Sequence, residues 1–387
     1  MPDALKRNPF NDYTEGWFHV TLNVRGEAPV LGYVTGDASA PLNGKDAPRV
    51  VLTELGKGVL EAWKRMSVVC ATVDIDECVA MPEHFHGLLH LLPGNKRHLG
   101  SLISGFMSGC SHAYWDVLGI DWRENRYDKG AYALKKDRDR DHTRSYRGPS
   151  LFVRGYNDVE AVTVEEIEIK RQYIRDNPRK RLITRSNPDC FRIVRDCFSR
   201  NWTLERALSA VTTDIRIGDD QEKRLVLQKN VSKRLKRQSN NTDLLAIDYI
   251  GSYNLLSSKH KVSLICHRKD VALFDQQASA VMQAARDGAV IVSAFISPKE
   301  RDIMKLLMQE QLPFIELMDN GFSDRYKPIG RSFYSTAENR HLQLTCWTYE
   351  YKVSGDTVSP GITREMCLVM NELVRVISGV DDYWWKQ

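Results

Sequence analysis

The stretch from residue 79 to 92 reads VAMPEHFHGLLHLL and places His84, His86 and His90 in one short apolar run. In an extended strand, side chains two apart share a face, and their Cα atoms lie about 7 Å from each other. His84 and His86 can therefore aim two imidazoles at one ion, with Phe85 on the opposite face. His90 shares that face but lies roughly 13 Å beyond His86 by strand rise, too far to join the same ion. It reads as a strand-end histidine. A second chemical pattern is RQYIRDNPRK, where Tyr173 and Asn177 stand at i and i+4, on one face of a helix. Tyr173 offers a phenol as nucleophile, and Asn177 offers an amide oxygen to a cation. Each feature also has a plain structural reading. Paired strand histidines are more often structural than ligating, a helical tyrosine is commonly an amphipathic aromatic, and an asparagine before proline commonly closes a helix.

The elements that must position these groups follow from periodicity. GWFHVTLNV (16–24) alternates as a strand should, and 48–66, PRVVLTELGKGVLEAWKRM, spaces its apolar residues as a helix that opens on proline. Residues 67–81 read as a second strand and HFHGLLHLL as a third, joined by a turn at Met81-Pro82-Glu83. Residues 98–119 read as a helix and the charged stretch 121–150 as a long surface segment. Residues 163–177 open with a threonine cap and two acids and are expected to end as a helix at Pro178. This predicts an α+β domain over 1–185, with an antiparallel sheet and packed helices. Residues 186–245 read as a basic helical connector. From 246 to 387, KVSLIC, AVIVSAF and PFIELM alternate with two helical segments, which predicts an α/β domain with a parallel sheet and right-handed crossovers.

Composition places the chain among soluble globular proteins: 42% of residues are hydrophobic and 27% charged. No apolar run reaches the roughly 20 residues that span a bilayer, and MPDALKRNPF has no signal-peptide core, so no membrane partner and a cytoplasmic location are expected. Eight cysteines without a CxxC pair argue against a zinc ribbon or a disulfide framework. The net charge is only +5, but residues 170–237 concentrate lysine and arginine. Such a belt is the footprint of a binder of phosphate backbones, or else a set of solvated helix faces.

Together, VAMPEHFHGLL, then GYNDV (155–159), then YIRDNPRKRLI resemble the HUH-type single-tyrosine transposases, in particular the REP-associated branch, over residues 13–190. The resemblance implies the ferredoxin-like HUH fold and a metal-dependent endonuclease and strand transferase acting on single-stranded or hairpin DNA. It implies that His84, His86 and Asn177 hold Mg²⁺ or Mn²⁺, and that Tyr173 forms a 5′-phosphotyrosine. Lys170, Arg171, Arg175, Arg179, Lys180 and Arg181 become candidates for backbone contacts. The family includes monomers and dimers, so a homodimer is compatible with it. One departure is that many relatives carry a lysine where GFMSG has Met107.

Residues from about 248 to 375 resemble the Rossmann-like domain of DNA-processing proteins of the DprA class. The Gly-Ser-Arg turn of those relatives is replaced by Cys266-His267-Arg268, which makes close backbone approach to a phosphate harder. The resemblance thus implies an accessory role in binding single-stranded DNA or in oligomerisation. Lys299 and Glu300, which open a helix, read as surface charges. Two other functions stay open. One is a domesticated DNA-binding protein that recognises hairpins or repeats without cutting. The other is a metallohydrolase that uses His84 and His86 with water.

Overall fold

The computed structural model describes residues 12–120, 149–212, 220–238, 241–350 and 362–386. The chain forms two compact units, Met1–Arg185 and Ser186–Gln387. The expected surface segment 121–150 lies outside the described residues except at its last two positions.

In the first unit, the chain order is β1 (Gly16–Asn23), β2 (Gly32–Thr35), β3 (Arg49–Leu52), α1 (Glu54–Val69), β4 (Val73–Met81), β5 (His84–Leu91), α2 (Leu99–Val117), β6 (Asn157–Ala161) and α3 (Val164–Ser186). Four strands make an antiparallel sheet in the order β4-β5-β1-β6. Alternation sends Phe18, Val20, Leu22, Phe85, Leu89 and Leu91 to one face, where they pack with Trp63 of α1 and Phe106 of α2. The other face carries His19, His86 and Leu88; Leu88 packs with Ile167 and Ile174 of α3. Helices thus cover both faces, and the His-x-His strand runs through the middle of the sheet.

Two expectations need correcting here. Residues 49–52 are a strand paired with β2, because the β-branched Val50-Val51 run precedes Thr53, whose hydroxyl caps α1 by accepting from Gly56 N. The helix expected to stop at Pro178 runs on to Ser186. Pro178 removes the hydrogen bond to the Ile174 carbonyl. The turn beyond is nevertheless held by Arg179, which donates to the Ala40 carbonyl at 2.6 Å, and by Arg181, which pairs with Glu83 at 2.9 Å. The start of α3 does follow the sequence. Thr163 Oγ1 accepts from Glu166 N, and Glu166 Oε2 accepts from Thr163 N, a reciprocal cap.

The second unit runs β7 (Val194–Thr203), α4 (Leu204–Thr212), α5 (Gln221–Arg234), β8 (Arg237–Gln238), β9 (Asn241–Gly251), β10 (Lys261–Ser263), α6 (Phe274–Arg286), β11 (Val290–Ser293), α7 (Pro298–Gln309), β12 (Phe314–Leu317), α8 (Gly330–Ala337), β13 (His341–Thr345) and α9 (Arg364–Ser378). Strands β10 to β13 are parallel and adjacent in order. Antiparallel β9 and β7 extend the sheet beyond β13. One face packs on α4, α5 and α9 around Trp202, Trp347 and Leu373. The other packs on α6 and α7 around Val281, Ile303 and Phe314.

The stretch 186–245 is therefore no connector. Its β7 pairs with β9, and Trp202, Ala207, Val211 and Val231 lie in the core. Glu300 is likewise no surface charge: it is 4% exposed. Its carboxylate accepts from Ser297 N at 3.0 Å and from Cys266 N at 2.8 Å. It thereby closes a capping box on α7 and ties the turn after β10 to the start of that helix. Burial raises its pKa in spite of these bonds.

Among the described residues, no helix is long and apolar enough to cross a membrane. All eight cysteines are free thiols.

Candidate active site

The site grows from β5. Trp63 of α1 sits under Gly87, so a side chain there would collide with the indole. With no Cβ at Gly87, the strand lies flat on the core while the residues beside it face α3. Strand alternation buries Phe85 in the α1–α2 core and turns His84 and His86 together, with ring centroids 4.8 Å apart. His86 is buried; the His84 side chain keeps 21% of its surface. His90 stacks on Trp17 at 4.4 Å, away from the pair.

Tyr173 reaches the same place from α3. Its ring meets the His86 ring edge-on at 5.3 Å, within one chain. Asn177, one turn further on, donates its amide Nδ2 to the Tyr173 carbonyl at 2.7 Å, which leaves Oδ1 as an acceptor. Burial raises the Tyr173 pKa, and a hydrogen bond with Asn177 offsets part of the rise. The phenol is therefore protonated at neutral pH. Lys180 Nζ lies 4.7 Å from the Tyr173 ring centroid. Burial lowers the Lys180 pKa, with Asp176 opposing.

The structure adds groups that sequence reasoning missed. His19 Nε2 lies 3.2 Å, and Thr21 Oγ1 2.9 Å, from His86 Nδ1. Glu83 Oε1 lies 3.4 Å from His84 Nδ1 and is itself paired with Arg181. The His84 hydrogen bond, helped by Arg181 and opposed by burial, holds the Glu83 pKa low. Burial, then the charge of Lys170, pushes His19 down to about 4. Burial, then the neighbouring His84 and His19 and Lys180, holds His86 well below its usual range. Both rings are thus neutral at pH 7, the form in which imidazole binds a metal. The signal available in GWFHVTLNV was that His19 and Thr21 share a face two residues apart; which strand that face would meet is a matter of register.

Imidazole nitrogen and amide oxygen are donor types that a divalent cation accepts. Each histidine has a partner at Nδ1, which leaves Nε2 for ligation in the tautomer protonated on Nδ1. Among the described residues, no group of three or more His, Cys, Asp or Glu side chains forms a metal cage. The protein's third ligand would have to be an amide such as Asn177 Oδ1, and the remaining positions would stay open to water and phosphate.

The six candidate DNA contacts have diverse surroundings. Arg171 forks onto Asp76 at 2.6 to 3.2 Å, and Arg175 pairs with Glu77 at 2.5 Å. Arg179 and Arg181 make the internal contacts already described. Lys170 is half-buried, and burial lowers its pKa. Lys180 lies over the tyrosine. Arg171 and Arg175 tie α3 to β4, while Arg179 reaches the segment between β2 and β3 and Arg181 the turn between β4 and β5.

Comparison with known proteins gives distant likenesses. No family model matches the chain. An uncharacterized protein of Haemophilus influenzae is 19% identical, covering 32% of this chain and 76% of that protein. A REP-associated tyrosine transposase solved with a REP hairpin is similar at 14% identity and a TM-score of 0.27, over 46% of this chain and 74% of that one. A structure described as a candidate transposase of Deinococcus radiodurans is similar at 11% identity and a TM-score of 0.24, over 44% and 97%.

Proposed function

We propose that the first unit is a metal-dependent single-stranded DNA endonuclease and strand transferase that works through Tyr173. The observation that carries this reading is the meeting, within one chain, of the Tyr173 ring with His86, which in turn adjoins His84. A phenol beside two imidazoles, with an amide oxygen one helical turn on, suits transesterification at a phosphodiester. Tyr173 Oη forms the new bond to phosphorus as the P–O3′ bond breaks. The phenol proton is lost, the departing 3′ oxygen gains one, and the 5′ end stays on the tyrosine. Because the phosphodiester is exchanged and not hydrolysed, rejoining needs no nucleotide. His84, His86 and Asn177 would hold Mg²⁺ or Mn²⁺, which when bound supplies electrophilic polarisation of the phosphoryl oxygens. Burial of the Tyr173 ring sets the phenol in place and keeps it protonated until substrate arrives.

The test is a denaturing gel of labelled hairpin DNA incubated with the protein and Mn²⁺. A band shifted by a covalent protein–DNA adduct is expected, and Tyr173→Phe should abolish it. A free nicked product that survives Tyr173→Phe would replace this reading with a water-using metallohydrolase. Binding with no cleavage would replace it with a recognition protein.

A further inference from the structure

We propose that His19 is a positioning residue that fixes the proton of His86 on Nδ1 and so makes Nε2 available to a cation. The inference rests on the proposed function and adds a residue to it. Strand β1 runs antiparallel to β5, with Thr21 opposite His86 and His19 opposite Leu88. Both side chains stand on the α3 face and converge on one atom, His86 Nδ1, at 2.9 and 3.2 Å. The two imidazoles stack at 5.1 Å and 25°. Tyr173 closes over both, edge-on to His19 at 5.6 Å and to His86 at 5.3 Å. His19 is 7% exposed, too buried to meet a phosphate directly.

Two neutral imidazole nitrogens at hydrogen-bond distance share one proton, so only one of them donates. If His86 Nδ1 donates, its Nε2 carries the lone pair that a metal needs. If His19 Nε2 donates, His86 Nε2 is protonated and cannot ligate. The tautomer of His19 thus decides whether His86 can serve. The Thr21 hydroxyl adjoins the same Nδ1 and can accept from it. Partners of this kind on a ligating histidine are commonly worth a 10- to 100-fold change in metal affinity.

The experiment uses the full chain without DNA. It reads the His86 tautomer from two-bond ¹H–¹⁵N correlations in metal-free protein and Mn²⁺ affinity by calorimetry, with thermal unfolding as the folding control. His19→Phe keeps a ring against Tyr173 but removes the acceptor. It should shift the His86 proton off Nδ1 and weaken Mn²⁺ binding about 10-fold. His19→Gln restores an acceptor and should bring both readouts back toward wild type. His19→Phe with an unchanged tautomer and Mn²⁺ affinity within twofold of wild type overturns the proposal. Should His19→Phe not fold, Thr21→Val decides. His19 alone should then hold the proton on Nδ1, and loss of that tautomer would assign the brace to Thr21 instead. If the wild type binds no Mn²⁺, or His84→Ala/His86→Ala binds it equally well, the cation site itself is wrong. The tautomer readout would still decide the role of His19.

Discussion

At the scale of single residues, the site depends on a position that does no chemistry. Gly87 follows His86, and Trp63 occupies the space its side chain would need. Gly87→Ala should push β5 off α1 and cost about 1–3 kcal/mol, as overpacking of a filled core does. The check is the denaturant midpoint, together with the His84 and His86 ring resonances, which should move with it. How far residues are legible in the sequence follows the same logic. The spacing of His84 with His86, and of Tyr173 with Asn177, is legible because each pair lies within one local repeat, period two in a strand or one turn in a helix. His19 and Thr21 were legible only as two positions on a face, because their partner is set by pairing across 65 to 67 residues. Glu83 was read as part of a turn, and its contact with His84 depends on a side-chain direction that spacing does not encode.

At the scale of elements, α3 is fastened to the sheet through an irregularity in β4. Between Ile75 and Cys78 the register with β5 slips by one residue. Such a bulge breaks the strict alternation of faces. Two consecutive acids, Asp76 and Glu77, can then both meet α3, through Arg171 and Arg175. In a regular strand one of them would point to the opposite face. The basic run that sequence reasoning assigned to DNA is thus partly committed to this seam, because spacing reveals charge but not its partners. Arg175→Glu and Glu77→Arg should each loosen α3, and the double reversal should recover most of the loss. Both groups are partly exposed, so a coupling of about 0.2–1 kcal/mol is expected, shrinking as salt is added. A double-mutant cycle on unfolding free energy measures it, and hydrogen exchange along α3 localises it.

At the scale of the whole molecule, the two units differ in how openly their sequences announce them. The parallel strands and the helices between them in the second unit follow from short apolar runs. Strand β7 does not, because its sequence VRDCFSRNWT mixes charges with apolar residues and its partner β9 begins inside a polar stretch. The acid tolerance of this unit should centre on Asp382. Burial alone would raise its pKa, but hydrogen bonds from His267 and Arg375, with the Arg375 charge, bring it from the ordinary 3.8 to about 2. The unfolded chain takes up that proton first as the pH falls. The stabilisation is therefore complete above about pH 4 and is lost as pH falls through about 2. Urea midpoints for the wild type should drop over that window, and Asp382→Asn should flatten the drop. In the first unit, His84 and His86 are unevenly buried. His86 is 4% exposed, whereas the His84 side chain, which follows Glu83, keeps 21% of its surface. Under the proposed function, a phosphodiester approaching from solvent would meet the His84 ring, at the Met81–His84 bend, before it met His86.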